Sequence, residues 1–176
     1  MPVVKGGRIV QDRYVRVSGD DPIPEDGPVL VPAARFLADA AELTERAAPV
    51  GVIWPNDKRV SELVPHLDRL ALIALVFPTF RDGRAYSQAR QLRERHGYRG
   101  ELLATGEILR DQFLFLLRSG FDALEAKKES DAKAFAAAEA RFTVFYQPTK
   151  DGRLSANQRR RLDWARLLEP KRQQVR

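Results

Sequence analysis

Three apolar runs close on proline at the same offset: Val29-Leu30-Val31-Pro32, Gly51-Val52-Ile53-Trp54-Pro55 and Ala74-Leu75-Val76-Phe77-Pro78. Their prolines stand at positions 32, 55 and 78, an even 23 residues apart, and a stretch with helical periodicity follows each run. A repeated strand–loop–helix unit is the economical reading. Proline just past a strand ends its ladder without wasting an N–H, and it also suits the first turn of the next helix. The run from Leu70 to Phe77 is apolar on both faces, as an inner strand covered by helices should be.

Working outward, two further units follow. A helix over residues 84–96 is stopped by Gly97; residues 101–104 read as a strand, Thr105-Gly106 as a tight turn and residues 108–118 as a helix. Ser119-Gly120 ends that helix, residues 121–124 read as the fifth strand, and the alanine-rich residues 130–142 as its helix. Ahead of the first unit, Ile9-Val10 and Tyr14-Val15-Arg16-Val17 suggest a β-hairpin within residues 8–17. The expected fold is therefore α/β, with about five βα units forming a parallel sheet. It is either an incomplete (β/α) barrel or an open doubly wound sheet, since a full eight-unit barrel needs about 250 residues. Residues 1–149 form one domain in this reading, and residues 150–176 a basic C-terminal extension.

Composition narrows the chemistry. The chain has 176 residues, 44% hydrophobic and 31% charged, with two histidines and no cysteine. That excludes disulfides, a thiolate nucleophile, an iron–sulfur cluster and a cysteine-based zinc site. His66 and His96 are too few and too separated for a histidine-built metal cage, so no metal site is expected. No apolar run approaches the roughly 18 residues of a membrane span, and residues 1–10 lack the core of a signal peptide. The expected compartment is the cytoplasm, with no membrane partner.

The net charge of +6 belongs to the tail: residues 1–149 hold 21 basic and 21 acidic side chains, residues 150–176 nine and three. The tail includes Arg159-Arg160-Arg161 and an amphipathic helix over residues 155–168, with Leu162 and Trp164 on its apolar side. It reads either as a helix docked through those residues or as a surface for an acidic partner or nucleic acid. Within the neutral body, residues 81–118 hold eight arginines, no lysine and five acids. Forked guanidinium groups suit oxyanions.

Ligands of such folds bind at the carboxyl ends of the strands. The loop there richest in polar side chains contains Arg81, Asp82, Arg84, Tyr86, Ser87 and Arg90; the next contains Gly106, Glu107, Arg110 and Asp111. Arginines at a helix start oppose the helix dipole, a conflict that a bound anion would remove. Equally, Asp82 can cap that helix and pair with an arginine. Tyr86 and Asp111 are the candidate proton donors. Neither the dinucleotide fingerprint nor a phosphate-binding P-loop is present, although flavin held at a barrel-type phosphate site needs neither.

The stretch Phe77-Pro78-Thr79-Phe80-Arg81-Asp82-Gly83-Arg84-Ala85-Tyr86-Ser87, then Leu92-Arg93-Glu94-Arg95-His96-Gly97-Tyr98-Arg99-Gly100-Glu101-Leu102, Thr105-Gly106-Glu107-Ile108-Leu109-Arg110-Asp111-Gln112 and Gly120-Phe121-Asp122-Ala123 resembles a bacterial family catalogued as domain of unknown function 934. Genes of that family commonly neighbour those of assimilatory sulfite reductase, and the family carries an oxidoreductase label that rests on this context. Where the family often has cysteine, this chain has Ser119; where it has aspartate after the second-loop glycine, this chain has Glu107. The resemblance implies an accessory protein of sulfate and sulfite assimilation, with sulfite reductase or another enzyme of that chemistry as partner, and the arginines at the helix start add the expectation of a small oxyanion or phosphorylated ligand. The alternative it implies is a flavin- or NAD(P)-dependent oxidoreductase without thiol chemistry. A third reading is an interaction module built on the basic tail.

Overall fold

A computed structural model describes residues 2–126, 128, 130–149 and 153–168. The chain opens with β1 (Val3–Lys5), β2 (Arg8–Val10) and β3 (Val15–Arg16), then runs through β4 (Val29–Pro32), β5 (Val50–Trp54), β6 (Leu70–Phe77), β7 (Glu101–Gly106) and β8 (Ala123–Glu125). All eight strands join one sheet in the order β2-β1-β8-β7-β6-β5-β4-β3. From β3 to β8 neighbours are parallel, whereas β1 lies antiparallel on β8 and β2 antiparallel on β1. The sheet is thus mixed, where a purely parallel one was expected.

Parallel strands laid down in chain order, each joined by a right-handed crossover, leave every helix on the same face. That face carries the large core, in which Phe36, Trp54, Ile73, Leu75, Phe77, Leu92, Leu102 and Leu116 are at most 1% exposed. Against it pack α1 (Ala33–Ala38), α2 (Ala40–Glu45), α3 (Arg84–Arg90), α4 (Phe113–Ser119) and α5 (Ser130–Ala140). A doubly wound sheet requires the strand order to reverse at a switch point, and the observed order contains none. The opposite face curls on itself as a half-barrel, lined by Val3, Leu30, Leu72, Ala74, Leu103 and Ala123, with Ile53 and Tyr14 packed beside them.

The expected series of five βα units is also corrected. The connection from β5 to β6 carries only a 3-10 helix, Val60–His66, with Pro65 inside it. Proline removes an amide donor and clashes with the preceding turn, so an α-helix does not form there. Likewise α3 passes into a π-turn over Gln91–Arg95 rather than continuing to residue 96 as an α-helix.

The hairpin expected in residues 8–17 does not form. Gly6 and Gly7, with φ of 55° and 72°, make the two-residue turn that pairs β2 with β1. Its other half, β3, lies on the far edge beside β4. The link from Val10 to Val15 reaches roughly 18 Å at full extension, whereas the edges of a flat eight-stranded sheet would stand roughly 34 Å apart. The short link and the flat sheet are incompatible, so the sheet must curl.

The tail helix, α6, spans Ala156–Leu168. Leu162 and Trp164 are 48% and 60% exposed, so these two do not dock the helix on the body. Four of the tail's basic residues, Lys150, Lys171, Arg172 and Arg176, lie outside the described residues. Among the described residues no helix is long and apolar enough to cross a membrane.

Candidate functional site

At the carboxyl end of β6 the chain turns through residues 78–83 into α3. Asp82 governs this turn: it accepts the Arg84 backbone N–H at 3.2 Å, and its two oxygens accept Arg84 Nε at 3.0 Å and Nη2 at 2.7 Å. Hydrogen bonds from Arg84 hold the Asp82 carboxyl well below the usual carboxylate range. The aspartate thus both caps the turn and orients the guanidinium, which absorbs the dipole conflict locally.

A cavity of about 420 Å³ opens between this turn and the loop after β5, with Lys58, Arg59, Arg84 and Ser87 on its walls and Asp57 as its carboxylate. Gln88 fixes the floor by donating from Nε2 to the Pro55 and Lys58 carbonyls, each at 2.9 Å. Arg84 and Ser87 therefore meet, as the sequence suggested. Arg81 lies outside this cavity, with its guanidinium 5.4 Å from the Phe80 ring centre. Arg110 is also elsewhere, bonded to Asp131 at 2.7 Å and Ser130 at 2.6 Å.

Tyr86 turns inward, its ring 5.0 Å from Phe77 and 4.5 Å from Phe115. Burial, then the charge of Asp111, pushes its hydroxyl up to about 12. The two candidate proton donors are thus electrostatic neighbours, and the phenol holds its proton at neutral pH. Gly106 has φ of +97°, and a Cβ there would stand 2.4 Å from the Phe77 carbonyl oxygen. Close strand contact, rather than an approaching phosphate, accounts for that glycine. Glu107 continues the contact, its N–H donating to the same carbonyl at 2.8 Å.

Arg90 faces the opposite end of the molecule. There, at the amino ends of β7 and β8, lies a cavity of about 640 Å³ walled by six basic and three acidic side chains. A second space of about 370 Å³ shares Arg90, Arg118 and Ser119 with it. Three arginines are already engaged: Arg93 with Asp122 at 2.5 Å, Arg153 with Glu139 at 3.0 Å, and Arg118 with the Gln147 carbonyl at 2.6 Å. Sequence reasoning missed this arrangement because its residues come from separate elements; the only hint was the excess of arginine over acid in residues 81–118.

A third polar group sits on the concave face. Glu125, 3% exposed at the end of β8, accepts hydrogen bonds from Thr105 on β7 and from Arg16 on β3. Asp12 holds the same guanidinium at 3.3 Å. The outermost parallel strand and the last one are thus bridged across the mouth of the half-barrel. Among the described residues no cluster of three or more histidine, aspartate or glutamate side chains is arranged to hold a metal ion.

No curated protein matches the chain. A family described as bacterial protein of unknown function (DUF934) matches residues 51–156, which take in both cavities' arginines up to Arg153 and every strand from the last four residues of β5 onward. The chain belongs to the DUF934 family.

Proposed function

We propose that the protein is an accessory factor of bacterial assimilatory sulfate and sulfite reduction that binds a small oxyanion or phosphorylated ligand at the carboxyl ends of its parallel strands. The observation that supports this reading is the convergence of Lys58, Arg59 and Arg84 around Ser87 on one cavity of about 420 Å³. Cations on the walls concentrate small anions, and the Asp82 carboxylate, which takes the Nε and Nη2 donors of Arg84, fixes that guanidinium beside the cavity. A thermal-shift panel of sulfate, sulfite, phosphate and adenylated sulfate tests it. Stabilisation by one of these, lost in Arg84→Ala, is the expected result. An unchanged midpoint with all four overturns the reading.

A second reading rests on α6, where Arg159, Arg160 and Arg161 adjoin the exposed Leu162 and Trp164. Such a surface suits an acidic protein partner. Removal of residues 150–176 should then abolish a salt-sensitive pull-down, and an undiminished pull-down refutes it.

A further inference from the structure

The cavity at the amino ends of β7 and β8 lies at the opposite end of the sheet from the carboxyl-edge cavity and is the more strongly basic of the two. Its walls carry six cations against three carboxylates, while the body over residues 1–149 is neutral. Three features point to a ligand. Ser119, 4% exposed, lines both this cavity and its smaller neighbour, and its hydroxyl has no hydrogen-bond partner among the described residues. The small part of this residue that is exposed leaves its hydroxyl open to a group entering from the cavity. Arg99 reaches the same cavity, is exposed and makes no ion pair among the described residues. Among the described residues Arg90 has only the 3.4 Å contact with Glu94 on its own helical face.

Ser119 closes α4, and a helix end of that polarity ordinarily repels anions. Here the backbone N–H groups of Gly120 and Phe121 return to the carbonyls of Leu117 and Leu116 at 3.1 and 3.2 Å. Two of the last carbonyls are therefore satisfied, which blunts the negative end. The side chains beside it, Arg90 and Arg118, then decide the local sign.

We propose that these joined cavities form a binding site for a phosphorylated organic anion of about mononucleotide size. The phosphate group sits where the two spaces meet, held by Arg90, Arg118 and the Ser119 hydroxyl, with Arg99 facing it. Forked guanidinium groups match tetrahedral oxyanions. The organic body follows from size and lining: about 640 Å³ is the volume of a pocket for a drug-sized ligand, far more than a bare oxyanion fills, and Leu114 and Leu117 give it apolar wall.

Isothermal titration calorimetry of the full chain with AMP, inorganic phosphate and adenosine tests the site. The expected result is saturable AMP binding at one molecule per chain, at least about tenfold tighter than phosphate, with no heat from adenosine. Arg90→Gln and Arg99→Gln should each weaken AMP binding about tenfold, and Ser119→Ala about threefold. Arg90→Lys should recover only part of the loss. Arg84→Ala, at the other end of the sheet, should leave AMP binding unchanged. Because Arg90 and Arg99 are exposed, their variants keep the fold, which their thermal midpoints verify. The proposal is overturned if AMP gives no heat, if AMP binds no more tightly than phosphate, or if Arg84→Ala abolishes binding that Arg90→Gln leaves intact.

Discussion

Arg93 shows how one side chain can hold three segments at once. Its guanidinium donates to the carbonyls of Gly120 at 3.0 Å, Tyr98 at 2.8 Å and Gly100 at 2.9 Å, and to Asp122 at 2.5 Å. Asp122 in turn accepts the Leu102 N–H at 2.8 Å, so the amino ends of β7 and β8 are tied to the π-turn. Arg93→Ala should cost about 3 kcal/mol in urea unfolding, and Arg93→Lys most of that, because an ammonium cannot reproduce the fork. Burial raises the hydroxyls of three tyrosines, Tyr14, Tyr86 and Tyr98, which weakens the fold at alkaline pH. Burial raises the Tyr98 hydroxyl, which donates to the Leu70 carbonyl at 3.1 Å, and raises Tyr86 to about 12. A phenol whose folded value exceeds its unfolded one stabilises fully below the unfolded value of 10 and loses that contribution as pH climbs through the folded value. Urea midpoints of the wild type should therefore fall from about pH 10 upward, and Tyr86→Phe should flatten the fall. The Asp82–Arg84 cap was legible in the sequence because its partners are two positions apart. Ser119 and Arg99 were not, since only the folded chain sets them on one wall.

Among the elements, the strands were legible where both faces are buried. Residues 29–32, 50–54 and 70–77 are without a charged or hydrogen-bonding aliphatic side chain and closed by proline, a pattern no amphipathic helix shares. The two β-prone pieces of residues 8–17 are strands but not a hairpin, because β-propensity marks a strand and not its partner; β2 and β3 sit at opposite edges of the sheet. The 3-10 helix at Val60–His66 had its reason in Pro65, in plain view. Gly106 is the sharpest local requirement on β7. With φ of +97° and the Phe77 carbonyl in the way of any Cβ, Gly106→Ala should destabilise by about 2 kcal/mol or more. Calorimetric melting would register this as a lower midpoint, and an unchanged midpoint would mean that the β6 and β7 ends separate freely.

Over the whole molecule, curvature is the organising fact. An open doubly wound sheet and an incomplete barrel contain the same units, and only the order of strands separates them, which local sequence does not encode. The Arg16–Glu125 pair with Thr105 clasps the two sides of the half-barrel. Arg16→Ala would leave the buried carboxylate without its cation and should cost about 3 kcal/mol. Replacing both partners together, Arg16→Met with Glu125→Leu, should recover much of that loss, since no uncompensated charge remains. A double mutant as unstable as the single would show that Arg16 acts by packing alone.

The placement of the amino-terminal strands also sets an order of events during synthesis. β1 leaves the ribosome first, yet its sheet partner β8 is made only after β4 to β7. β3, made moments after β1, can pair as soon as β4 appears. The nascent sheet thus grows from one side while its opposite border stays bare, and the first few residues must wait for nearly the whole domain before they can seal it. Until then the unpaired backbone edge of β8 is protected by nothing but the speed with which its earlier-made neighbour returns.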